Sequence, residues 1–343
     1  PPAVVQSLRE NAHQKDYLAV QGFLPLREAG AGFHARTQNL SFSADDIMIG
    51  PGSKELMFIL QVAHWGELLL PNPSWVSYAP QAGIVGRPVQ WLATDRDDNY
   101  LLSAKTLHDH CAQDPERPRL LLLNTPNNPT GLVFSDTAIT KIAELARAHN
   151  VTLIVDQLYS RLLYSGESYT HLRACAMRPE NLITIMGPSK TESLSGFRLG
   201  VAFGTARLIE RMEKLQAIVS LRAAGYSQAA LKTWFHEPEG WMDERIAQHQ
   251  AIRDALLRIF RDAGFPPAPT QAGSYVFPEL PDLSVAPEVF VRLLRVQAEV
   301  TVTPGSEFSP HTANSIRLNF SQDHAASVAA AQRIVAMVER YRA

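Results

Sequence analysis

The segment GPSKTESLSGFRLG (187–200) sets Lys190 just after an apolar run from Leu182 to Met186. That run reads as a buried strand, which puts the lysine at the mouth of a sheet. Small hydroxylated residues and glycine flank it, and Arg198 follows at the start of a second apolar run. An amine held in such a place is suited to forming a Schiff base with an aldehyde cofactor. A lone lysine is ordinarily a solvated surface charge, so this chemistry requires partners delivered to the same spot.

The preceding strands supply them. In open α/β sheets, ligands bind at the carboxyl ends of the strands. RLLLLN (119–124) reads as a buried strand ending in Asn124, followed by the turn TPNNPTG (125–131). VTLIVD (151–156) reads as the next strand and ends in Asp156, with Tyr159 three residues on. Between them Ser135 is placed to cap a helix that carries Ile139, Ile142, Ala143 and Ala146 on one face. Strand, helix and strand at this spacing predict a right-handed crossover. Taken singly, Asp156 could cap a helix and NNPTG could be an ordinary tight turn. With Lys190 they fall at successive strand ends.

Further strands are expected over 182–186 and 199–203. Beyond residue 238 the pattern changes to one long helix from Trp241 to Gly264, stopped by the glycine and by Pro266-Pro267. A strand over Ser274–Phe277, a helix over 287–297, a strand over Ser315–Phe320 and a final helix capped by Ser321 complete the chain. We therefore expect an α/β protein in two domains: a large one over 1–240, with a mainly parallel sheet covered by helices, and a smaller α+β one over 241–343. The first dozen or so residues are candidates for joining the smaller domain.

Composition narrows the function. The 343 residues are 45% hydrophobic, enough for a sizeable core. The net charge of −2, with both signs interspersed, argues against a nucleic-acid partner. No apolar run reaches the length of a membrane span. Cys111 and Cys175 make no disulfide framework and fit a reducing, cytoplasmic setting. No G-x-G-x-x-G follows a first strand, which weighs against a nicotinamide dehydrogenase. The chain opens at Pro1-Pro2-Ala3 with neither signal peptide nor initiator methionine, and a truncated or processed form is expected.

Read together, PGSKELMFIL (51–60), NPSWVSYAP (72–80), NTPNNPTG (124–131), VDQLYSRLLY (155–164), SKTESLSGFRLG (189–200) and SIRLNFS (315–321) resemble the class I/II aminotransferases, pyridoxal-phosphate enzymes of fold type I. DYLAVQGFLPLREA (16–29) resembles the family's tyrosine-containing entry segment, so the likeness spans essentially the whole chain. The resemblance implies that Lys190 holds pyridoxal 5'-phosphate as a Schiff base and later shuttles the substrate proton. Asp156 would pair with the pyridine nitrogen, Asn128 and Tyr159 would bond the phenolic oxygen, and Trp75 would stack on the ring. Gly52, Ser53 and Lys54 at a helix start would cup the phosphate with Ser189 and Arg198, Lys54 mainly through its N–H. Tyr17 would reach the phosphate of the partner subunit in a homodimer. Arg317 would clamp the α-carboxylate of an amino acid or 2-oxo acid, with Asn128 and Trp75 also facing the substrate.

Some residues depart from the family pattern. Gly187 stands where many relatives carry a phosphate-binding serine, and Gln157-Leu158 replaces a common glutamate-isoleucine pair. Glu192 is acidic where relatives are apolar or small; it either caps a turn or contacts substrate or a structural partner near the pocket. The family's usual pocket-lining N-terminal segment lies before Pro1, and Arg222 is one possible second arginine for an acidic substrate. Transamination leads. A β-lyase, decarboxylase, cyclising synthase or oxidase would use the same residues, and a ligand-sensing domain would carry a fused DNA-binding segment that is not seen.

Overall fold

The computed structural model describes the backbone of residues 1–174 and 179–343, so Cys175 lies outside the described residues. The strands are β1 (Ile47–Gly50), β2 (Glu67–Pro71), β3 (Val89–Leu92), β4 (Arg119–Asn124), β5 (Thr152–Asp156), β6 (Leu182–Met186), β7 (Gly200–Phe203), β8 (Tyr275–Val276), β9 (Thr303–Pro304) and β10 (Ile316–Asn319). The helices are α1 (Pro2–Asn11), α2 (Leu24–Gln38), α3 (Ser53–Ala63), α4 (Tyr78–Ile84), α5 (Ala104–Gln113), α6 (Asp136–Ala148), α7 (Ala206–Val219), α8 (Gly225–Ala230), α9 (Trp241–Asp262), α10 (Pro287–Gln297) and α11 (His324–Tyr341).

Two sheets organise the chain. The first has seven strands in the order β1-β7-β6-β5-β4-β2-β3. Its strands run parallel except β7, which is antiparallel to both neighbours. Alternation along each strand feeds two separate apolar layers. Leu120, Leu122 and Ile154 pack with Leu56, Leu60 and Met212 of α3 and α7. Leu121, Leu123, Leu153 and Val155 pack instead with Leu107 of α5 and Ile139, Ile142 and Ala146 of α6. Both faces are thus dry, and the central strands read as continuous apolar runs for that reason. Each such leucine contributes roughly 1.5–3 kcal/mol by leaving water. Ser135 caps α6 as expected, its hydroxyl accepting from the Ala138 N–H.

The second sheet is small and antiparallel, in the order β8-β10-β9. A second core forms beneath it from Leu256 and Phe260 of α9, Phe290 and Leu294 of α10, and Ile334 and Val338 of α11. One cap differs from expectation: Asp323, not Ser321, caps α11, accepting from the Ala326 N–H at 3.0 Å. Aspartate binds the free N–H groups and also suits the positive helix end, so it outcompetes a serine two residues earlier. At the other end of the chain, α1 buries Val4 with Leu26, Ile47 and Phe203, against the larger sheet's side.

The two cores meet at the turn after β4. Gly131 has φ +73°, and its carbonyl accepts from the N–H groups of both Gln271 and Ala272. A Cβ there would lie 2.5 Å from Thr270 Cγ2 and 2.8 Å from the Ala272 carbonyl oxygen. Gly131→Ala is expected to cost about 1–3 kcal/mol from the backbone conformation alone, plus the clash. Urea unfolding of the variant checks this.

Candidate active site

Strand direction explains why distant residues share one cleft. The carboxyl ends of β1, β2, β4, β5 and β6 lie on one edge, and β7 begins there because it runs back. A cleft of about 230 Å³ opens at this edge. Its wall brings together Ser53, Lys54, Trp75, Asn128, Asp156, Tyr159, Ser189, Lys190 and Arg198, all named from the sequence, along with Asn124, Leu158 and Ser195. A larger recess of about 450 Å³ lies around Gln61, Trp65 and Pro118, near the opposite end of β2. We favour the smaller cleft because the strand-end polar groups converge only there.

Asp156 forms the floor. It is buried, its Oδ2 accepting from the Tyr78 hydroxyl at 2.7 Å and its Oδ1 from the Leu158 N–H at 3.2 Å. Burial raises its pKa to about 6, against the pull of those two donors and of the Lys190 charge. Asn124, directly opposite in the β4–β5 register, donates from Nδ2 to the Asp156 carbonyl at 3.0 Å. Its Oδ1 accepts from the Asn128 N–H at 2.7 Å, which fixes the turn that carries Asn128.

One end of the cleft is an anion cradle. Gly52, at φ +98°, precedes the first turn of α3, and a Cβ there would come within 2.4 Å of Arg198 Nη2. Backbone N–H groups, the Ser53 hydroxyl and a guanidinium therefore converge at a helix start. Arg198 itself has φ +51°, and its Nη1 donates to the Ser195 carbonyl at 2.8 Å. Trp75 stands half-buried, edge-on to Tyr78 at 5.3 Å, with Lys54 Nζ 5.0 Å from its ring centre.

The smaller sheet contributes Arg317. Its Nη1 donates to Asn128 Oδ1 at 2.9 Å and its Nη2 to Thr303 Oγ1 at 3.1 Å. Its Nε is buried with no partner, and burial lowers its pKa. Among the described residues no acidic side chain pairs with this guanidinium. A part-buried cation whose Nε donor is buried without a partner is arranged for a carboxylate from outside the chain.

Other expectations sort out differently. Tyr17 is 80% exposed, away from this chain's own cleft, with the Arg222 guanidinium 4.6 Å from its ring centre. Arg222 donates to the Leu18 carbonyl and does not line the cleft. Tyr78 is fully buried and spends its hydroxyl on Asp156. At Gly187 a Cβ would approach the Leu199 carbonyl oxygen to 3.0 Å, so a serine there would crowd the returning strand. Gln157 accepts from the Tyr169 hydroxyl at 3.2 Å.

Glu192 is a structural partner rather than a turn cap. Its side chain has no exposure and pairs with Arg161, which also binds Glu237 at 2.9 Å. Arg245 from α9 donates to the Thr191 carbonyl at 2.9 Å and to Ser193 Oγ at 2.7 Å. The residues just after Lys190 are thus held from two sides. Tyr275 is the site neighbour that sequence reasoning missed: its hydroxyl accepts from that of Tyr159 at 3.0 Å. The alternation in SYVF marks it as one-sided in a strand, but not what it faces.

A family model for class I and II aminotransferases matches residues 1–334. The chain belongs to this family. It is a pyridoxal-phosphate-dependent aminotransferase, as the resemblance implied. It is similar to the aspartate aminotransferase of Rhodobacter sphaeroides, at 47% identity and a TM-score of 0.94, covering 100% of this chain and 89% of that one. The aspartate aminotransferase of Bacillus subtilis is 24% identical over 99% of this chain and 87% of its own. An aromatic-amino-acid aminotransferase of Thermococcus litoralis is 27% identical over 88% of this chain and 78% of its own. The cofactor fits the aminotransferase cleft on the chain's own evidence: an anion cradle at one end, a buried carboxylate at the floor and a lysine between. Among the described residues no helix is long and apolar enough to cross a membrane.

Two outcomes follow from the burial of charge. Asp156 binds its proton more tightly folded (about 6) than unfolded (3.8), so raising the pH through that window favours the unfolded chain. For cofactor-free protein, Asp156→Asn should therefore add up to about 3 kcal/mol of stability above pH 6, a gain that fades as pH falls towards 4; thermal melts across pH read it. Glu192→Ala leaves Arg161 half-compensated and should cost about 3 kcal/mol, measured by denaturant unfolding. Glu192→Gln, which keeps a hydrogen-bond acceptor, should cost less.

Proposed function

We propose that this aminotransferase acts on dicarboxylic amino acids and 2-oxo acids of the aspartate type. The observation that carries the proposal is a cation left over in the cleft. Lys190 is reserved for the cofactor's aldehyde, Arg198 for its phosphate and Arg317 for the substrate α-carboxylate. Lys54 remains, its amine over the Trp75 ring, with no acidic side chain paired to it among the described residues. A second carboxylate on the substrate side chain gives it a partner. The aspartate aminotransferases among the relatives support the same class.

Pyridoxal phosphate, once bound, supplies an electron sink for the charge that develops as the substrate Cα–H bond breaks. The chain's residues do the rest. Asp156, once ionised, would hold the ring nitrogen in its protonated form and so keep the sink effective. Ser53, Ser189, Arg198 and the N–H groups after Gly52 anchor the phosphate. Asn128 and Tyr159 would bond the phenolic oxygen, and Trp75 would cover the ring. Lys190 Nζ, which lines the cleft, would hold the cofactor and, when free, would serve as the base for the substrate Cα proton. Arg317 fixes the carboxylate and, from the smaller domain over 241–343, draws that domain onto the cleft so that water leaves.

The working unit in this reading is a homodimer. Tyr17, exposed here, would meet the phosphate in the partner's cleft. A cytoplasmic setting fits the free, buried thiol of Cys111.

The test is a half-reaction screen on the holoenzyme. Aspartate or glutamate should convert the cofactor to its amine form and release the matching 2-oxo acid. Lys54→Met should lower kcat/KM for these dicarboxylates by about 10- to 100-fold and leave a monocarboxylic donor within a few-fold. Equal losses on both donors would remove the Lys54 assignment. Release of ammonia, carbon dioxide or peroxide would replace transamination by another reaction. Lys190→Ala should trap no cofactor with borohydride; trapping at another lysine would overturn the central residue.

A further inference from the structure

Tyr275 touches both halves of the proposed machinery, and nothing in the mechanism above uses it. It lies on β8, directly opposite Asn319 of β10. Arg317 is two residues before Asn319 and so on the same face of the sheet, diagonal to Tyr275 and within reach of an aromatic ring. The guanidinium of Arg317 accordingly sits 4.5 Å from the Tyr275 ring centre and 5.0 Å from that of Phe308. The other end of the same side chain meets Tyr159, with the two hydroxyl oxygens 3.0 Å apart and the rings near perpendicular at 80°. Both tyrosines are buried, at 4% and 5% exposure, which leaves little water to substitute for either contact.

We propose that Tyr275 is a positioning residue that couples the substrate clamp to the cofactor: its ring seats Arg317, and its hydroxyl orients and strengthens Tyr159 as a donor to the cofactor's phenolic oxygen. This rests on the roles given to Tyr159 and Arg317 above. In the cofactor-free protein Tyr159 donates to Tyr275. A hydroxyl has one hydrogen and two lone pairs, so once Tyr159 turns its hydrogen to the phenolic oxygen, Tyr275 rotates to donate in its place. A hydroxyl that accepts while donating is the stronger donor, because the two bonds polarise each other. The charged groups facing Tyr159 are Asp156 and Arg317, and the tyrosine-to-phenylalanine variants below alter neither, since each keeps its ring. Stronger donation favours the anionic phenolic oxygen, and thus the deprotonated form of the linkage to Lys190.

The experiment is a spectrophotometric pH titration of the bound cofactor in holoenzyme without substrate, alongside steady-state kinetics. Tyr275→Phe keeps the ring and removes one oxygen. It should raise the pH midpoint of the cofactor's visible band by about half a unit and change KM for the amino acid less than about threefold. Tyr275→Leu removes the ring as well and should raise KM about tenfold; recovery of KM but not of the midpoint in the Phe variant separates the two functions. A midpoint in Tyr275→Phe that is unmoved, or that falls, overturns the coupling. Tyr159→Phe serves as the reference and should raise the midpoint by more. If Tyr159→Phe leaves it unmoved, the role of Tyr159 fails and the coupling with it. If Tyr159→Phe moves it and Tyr275→Phe does not, only the coupling fails.

Discussion

A buried carboxylate at the end of β5 is the constraint around which the site is built. Removing an ionisable group from water is unfavourable unless donors or a positive charge replace the lost solvation. Asp156 finds two donors in this chain, the Tyr78 hydroxyl and the Leu158 N–H, and its raised pKa shows that these do not suffice. The deficit is a vacancy for a cation. In the proposed reading a protonated pyridine nitrogen would fill it, so the same burial that strains the cofactor-free protein would favour the cofactor. Tyr78 must be fully buried to hold that carboxylate, which is why it lies in the core and not in the substrate pocket.

The rest of the cleft follows from where the sheet delivers charge. Lys54, Lys190 and Arg198 come from three different strand ends, and Arg317 arrives from the smaller sheet through Asn128. Like charges gathered at one cleft repel, and in the proposed reading a phosphate and one or two carboxylates would offset them. The scaffold must therefore hold the cationic loops by other means. The segment after Lys190 is fastened through Arg161, Glu192 and Glu237 on one side and Arg245 on the other. Arg161 also lies 5.3 and 5.1 Å from the ring centres of Phe33 and Phe235, which pack in a stack of their own.

Much of this was legible before any coordinates. The apolar runs 119–124, 151–156 and 182–186 could only be strands buried on both faces, and the polar residue ending or following each one had to share an edge. Ser135 announced its helix by type and spacing. Glu192 was visible only as an oddity: an acid among small residues carries no sign of whether it meets water, substrate or an arginine far along the chain. Arg161 and Glu237 are remote in sequence, and no local pattern pairs them. Ser321 shows the opposite limit, since two acceptable caps lay close together and a local signal alone did not choose between them.

By itself, then, the sequence determined the strand ends and the lysine and acid placed at them, because those depend on residue type and on short-range periodicity, while the anion cradle and the cofactor came from the chain's resemblance to its family. The tertiary structure decided which side chains finish the job: Tyr78 under Asp156, Tyr275 between Tyr159 and Arg317, and Lys54 over Trp75. These contacts join segments far apart in the chain, and their geometry is set by sheet register and by how the smaller sheet packs on the larger. No local propensity encodes either.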